Sequence, residues 1–128
     1  MNTTQRQVTV NFDSTTNPNR ERVSFSSGEK IEITTERGEV TYTLQQEGSR
    51  ARFPSNPIQW VANNLMPIAP PSGATVHRLD DDNVTVEITA APGTQEFRFY
   101  VIVQTVAGRF FGSDPTIVTM RPGDGSGG

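Results

Sequence analysis

Few residues in this chain are equipped for chemistry, and their spacing limits what they could do. There is one histidine, His77, and no cysteine. The lack of cysteine removes disulfides, thiolate metal sites and cysteine nucleophiles together. A blue-copper centre needs two His and a Cys, and one histidine is a poor start for a three-ligand catalytic zinc. In the pattern Val76-His77-Arg78-Leu79 the ring alternates onto the solvent face of a strand. A Ser-His-Asp site would have to use His77, yet there is no G-x-S-x-G elbow and nothing places a serine beside it. Two carboxylates suffice for acid–base hydrolysis, and 14 acidic residues leave that count open. Glu32 and Glu87 fall on polar strand faces, however, where a solvated charge is the ordinary explanation. With no acid, base and nucleophile brought together, the expectation is a protein that is not an enzyme and carries no cofactor.

The run Leu79-Asp80-Asp81-Asp82-Asn83 is the one concentrated charge cluster. Asp80 and Asp82 are weak calcium candidates, because oxygen ligands at a turn can hold Ca²⁺. The run lacks the glycine and distal glutamate of an EF-hand loop. A plain acidic hairpin turn explains it better, since Asp and Asn favour turns by bonding nearby backbone.

The remaining candidates lie between Phe53 and Val76. This stretch holds five of the nine prolines and the only tryptophan, Trp60. It reads as one long connection, too apolar to stay comfortably in water. Trp60, Met66, Ile68, Pro70 and Pro71 form the candidate binding set, as an apolar ridge offered to a partner. In the competing reading, Trp60 and Leu65 tuck under the loop and close one end of the fold. A different class of function is carbohydrate binding, with Trp60, Tyr42 or Tyr100 as a stacking platform beside Asn, Gln or Arg.

The elements that must position these residues are strands. Val8, Val10 and Phe12 share one face, as do Val23 and Phe25, and Ile31 and Ile33. Val40, Tyr42 and Leu44 repeat the pattern, followed by Val84, Val86 and Ile88. A period of two, apolar inward, marks half-buried strands. Ser27-Gly28, Arg37-Gly38 and Pro92-Gly93 supply turns. The longest strand, Glu96 to Val106, is apolar on both faces and so belongs at a covered, central position. Pro115 fits only the start or edge of a last strand, Thr116 to Met120. Eight or nine short antiparallel strands with no ordinary helix predict a two-sheet Greek-key sandwich. The first strand, Gln5 to Phe12, and the last are the expected edges, where self-association could begin.

This pattern, with its late strand FRFYVIV and closing SDPTIV, resembles bacterial immunoglobulin-like and cupredoxin-like β-sandwiches across residues 5–121. The resemblance implies a fold and carries no activity with it.

Length and charge bound the rest. The 128 residues make one domain, 1–122, with a linker-like tail at 123–128. Net charge is −3, with ten Arg and one Lys scattered along the chain. That gives no electrostatic footprint for nucleic acid. No apolar run approaches the ~20 residues that span a bilayer. No signal pattern opens the sequence, which points to the cytoplasm, or to a secreted chain if Met1 was added after processing. The expected function is a protein-interaction or structural module whose partner is another protein or a second copy, with glycan as the alternative.

Overall fold

The computed structural model describes residues 3–13, 22–25, 30–46, 51–89, 93–113 and 115–121. The turn residues Ser27, Gly28 and Pro92 and the tail at 123–128 lie outside them. Among the described residues there are eleven strands and no helix. They are β1 (Thr3–Asp13), β2 (Arg22–Phe25), β3 (Lys30–Ile33), β4 (Arg37–Gln45), β5 (Ala51–Arg52) and β6 (Ile58–Val61). Then follow β7 (Ala74–Arg78), β8 (Asn83–Thr89), β9 (Gln95–Thr105), β10 (Phe110–Gly112) and β11 (Thr116–Met120). One of them, β6, lies wholly within the stretch 53–76 read as connection, and β7 begins inside its end. The β6 sequence Ile-Gln-Trp-Val does not alternate, so no period of two marked it.

The strands form two layers, a β-sandwich. One sheet has the order β2-β1-β4-β8-β7, and the other has β10-β9-β11-β3 with β5 and β6 also pairing β9. The inward residues of both layers make one core, as the alternation predicted: Val8, Val10, Phe12, Val40, Tyr42, Leu44, Val84, Val86 and Ile88 face Phe97, Phe99, Val101 and Val103. Aromatic rings run through it from Phe25 to Tyr42 (5.8 Å between centroids), Tyr42 to Phe99 (6.1 Å) and Phe99 to Trp60 (5.0 Å).

The pairing is mixed rather than antiparallel throughout. β1 runs parallel to β4, and β11 parallel to β3. Each parallel pair is distant in sequence, which parallel strands require because no tight turn can join them. The same pairings overturn the expected edges. β1 lies between β2 and β4, and β11 lies between β9 and β3. The edge strands of the sheets are instead β2, β7, β3 and β10, with β5 and β6 at the far side of β9.

β9 is central, as its two apolar faces require. The Val101 amide donates to Ser113 Oγ (3.0 Å), and Val101 accepts from the Ser113 amide (2.9 Å). The next amide, Ile102, donates to the carbonyl of Pro57 (2.7 Å). Successive amides of a strand point to opposite sides, so β10 and β11 flank one side of β9 and β5 and β6 the other. Ser113 replaces a ladder rung where β10 gives way to β11, just before Pro115, which has no amide to offer. On the β4 side, the end of the Ile33 side chain, Cδ1, packs into the space beside Gly38 and would have to shift to admit a Cβ there.

The two ends of the sandwich differ. At one end lie Thr3, Arg37 and Thr89, in register across their sheet, with Ala74 one residue further in opposite Ile88. At the other lie Gln45, Asn83 and the turn Leu79–Asp82.

Candidate functional site

The candidate ridge grows out of β6. On this strand Trp60 pairs with Phe99 and points inward, and it is 3% exposed. It therefore leaves the proposed contact set and belongs to the core. Tyr42 is likewise sealed in the core at 0% exposure, so neither ring can serve as a stacking platform. Tyr100 is half-buried on the outer face of β9, paired with Gln59.

After Val61 the chain reverses through Asn63 and Asn64, two residues suited to turns. The reversal is hydrogen-bonded throughout. Leu65 N–H donates to the Ala62 carbonyl (2.8 Å), Ala62 N–H to the Met66 carbonyl (2.9 Å) and Ile68 N–H to the Trp60 carbonyl (3.0 Å). Pro67 lies in bridge register with Val61. The backbone is thus fixed, yet the apolar side chains point out: Leu65 is 44% exposed, Met66 60% and Ile68 43%. The reading that tucked both Trp60 and Leu65 under the loop holds for Trp60 and fails for Leu65, which is on the surface. It is the one described residue other than glycine with positive φ, at 65°. A left-handed backbone at a leucine costs about 1–2 kcal/mol, and such strain concentrates where a side chain must be held in place.

Beyond it, Pro70 is exposed and Pro71 half-buried. The Pro71 carbonyl accepts from Ala74 N–H (3.2 Å). Gly73 then takes φ 85°, and a Cβ there would sit 2.6 Å from the Thr89 carbonyl oxygen. From Phe53 to Val76 no side chain is ionisable. The ridge can therefore be covered without desolvating a charge.

The acidic run is a hairpin turn between β7 and β8. The Asp80 carboxylate accepts from the Asp82 amide (2.8 Å) and from Asn83 Nδ2 (2.9 Å). Those donors, the Asp82 amide first, hold its pKa below the usual carboxylate range. Asp81 pairs with Arg78. Among the described residues no three acidic or imidazole side chains converge where a metal ion could sit. The turn also ties the two sheets together. Phe53 N–H, beside β5, donates across to the Asp81 carbonyl (2.8 Å), while Leu44 N–H donates to the Asp82 carbonyl (2.8 Å) as a further rung of the β4–β8 ladder within one sheet. Arg78 Nε adds a bond to the Phe53 carbonyl (3.0 Å).

The surface at this end had no marker in the residue pattern. An open cleft of about 800 Å³ runs between Gln45, Arg52, Asp82 and Thr105. A second of about 520 Å³ lies between Arg52, Asn56, Gln104 and Phe110. Arg52, Gln104 and Phe110 stand in register across β5, β9 and β10. β5 is two residues long and β10 three, so no pattern marked them. His77 is on the solvent face of β7 as expected, 3.0 Å from Glu87.

No protein-family model matches the chain, and no curated protein shows significant similarity to it. No helix among the described residues is long and apolar enough to cross a membrane.

Proposed function

We propose that this chain is a non-catalytic protein-interaction module of immunoglobulin-like type whose contact surface is the ridge Leu65-Met66-Pro67-Ile68, flanked by Pro70 and Pro71. The observation that carries this reading is Leu65: a strained, hydrogen-bonded backbone holds a large apolar side chain outward. A pre-ordered loop loses little entropy on binding, and Met adapts to a partner's contours. The test is a photo-crosslinking residue at position 66, compared with one at the exposed Glu36. A defined adduct formed only from position 66 is expected. The purified partner should then bind Met66→Glu at least about 10-fold more weakly, a loss of about 1.4 kcal/mol. Equal affinity for wild type, Met66→Glu and Ile68→Glu would overturn the reading.

The glycan alternative rests on a different surface. Phe110 offers an exposed ring, with the Gln104 amide and the Arg52 guanidinium beside it in register. Phe110→Ser should abolish binding to any sugar that a glycan array identifies; unchanged binding removes this reading.

A further inference from the structure

The strand that should invite a neighbour is β7. Among the described residues it pairs only with β8. Thr89 N–H donates to the Gly73 carbonyl (2.8 Å), and Leu79 N–H to the Asn83 carbonyl (2.9 Å). Main-chain groups alternate sides along a strand, so Thr75 and His77 also turn theirs toward β8. Those of Ala74, Val76 and Arg78 face outward. The Ala74 amide is occupied by the Pro71 carbonyl (3.2 Å). The Val76 amide and carbonyl, the Arg78 amide and the Ala74 carbonyl are left on the open edge.

Edges are normally guarded by lysine, proline, a bulge or alternating charge. β3, the edge of the other sheet, carries Lys30 and Glu32 at its exposed positions. β7 has none of these over its first four residues, Ala-Thr-Val-His, and its one charge, Arg78, is turned back to Asp81 and the Phe53 carbonyl.

We propose that β7 pairs with β7 of a second copy of this chain, antiparallel about a two-fold axis at Val76, joining two five-stranded sheets into one. The pattern of open groups is self-complementary, as a two-fold contact requires. Val76 N–H donates to the Val76 carbonyl of the second copy, and Arg78 N–H to its Ala74 carbonyl. Symmetry doubles both, giving four main-chain hydrogen bonds. The register is fixed. Pro70 and Pro71 supply no amides upstream, and the chain leaves the edge at the Leu79 turn. Side chains agree with the pairing: Val76 meets Val76, Thr75 meets His77, and Arg78 lies opposite Ala74, so no like charges oppose. A foreign strand would have to match this short frame, whereas the second copy matches it by construction.

Sedimentation equilibrium from about 1 µM to about 1 mM tests this, since a dimer must follow mass action. A reversible dimer is expected for the wild type. Val76→Pro removes the central donor at a position where an edge tolerates proline, and should be monomeric with an unchanged circular dichroism spectrum. Amide exchange on the wild type gives a second measure that needs no variant: Val76 and Arg78 should slow as concentration rises. Met66→Glu should dimerise normally, which separates this contact from the ridge. A wild-type monomer at every concentration would overturn the proposal. So would a folded Val76→Pro dimer, or concentration-dependent protection confined to other strands.

Discussion

Tyr42 shows how far a single residue can be read. Alternation along β4 placed its ring inward with Val40 and Leu44, and the structure agrees. What alternation could not supply is the fate of its hydroxyl. Neither Tyr42 Oη nor Thr116 Oγ1 makes a hydrogen bond of full geometry, though both are buried. The two groups interact across the core, on β4 and β11, strands from different sheets. Burial pushes the Tyr42 phenol well above its ordinary range, and Thr116 offsets only part of that. Replacing both groups by apolar isosteres removes the desolvation cost of each. Tyr42→Phe/Thr116→Val should therefore be at least as stable as wild type in urea, with a coupling of about 0.5–1 kcal/mol in the double-mutant cycle. The phenol also sets a pH dependence. Above the ordinary tyrosine pKa of about 10, the unfolded chain releases a proton that the folded chain retains. Stability from this group is whole below that pH and falls by about 1.4 kcal/mol per unit above it. Urea midpoints at alkaline pH should fall more steeply for wild type than for Tyr42→Phe.

At the scale of elements, strands with clean alternation were legible, including the short β2, β3 and β11, while β5, β6 and β10 were not. β1, β4, β8 and β9 each run seven residues or more, enough for the period of two to declare itself. β6 reads Ile-Gln-Trp-Val, which does not alternate, so its inward face could not be told from its outward one, and Trp60 was readable both as anchor and as core. The parallel pairings had no local signal, because strand order is set by which distant faces bury each other. Leu65 was invisible for another reason: nothing in a sequence marks a leucine as left-handed. Its strain makes a prediction that separates binding from stability. Asn tolerates the left-handed region, so Leu65→Asn should raise stability by about 0.5–1 kcal/mol in urea unfolding while weakening capture of the ridge's partner. A variant less stable than wild type would mean that the Leu65 side chain supports the fold.

For the whole molecule, the informative asymmetry is between its ends. Among the described residues, 34–36 and 62–73 pass from sheet to sheet at the Arg37 end. At the Asp82 end the described ties across the sheets are hydrogen bonds, from Phe53 N–H to the Asp81 carbonyl and from Arg78 Nε to the Phe53 carbonyl. Covalent links do not break in thermal fluctuation, and hydrogen bonds do. The expected local opening is therefore at the acidic turn, where the hydrogen bonds of Phe53 act as a latch. Native-state exchange should show the Phe53 amide opening at a lower free energy than the Leu44 amide and the central strands. A run of aspartates that looks like a charge cluster, and holds no metal-binding arrangement, then serves as a clasp through its main chain, by the Asp81 carbonyl on Phe53.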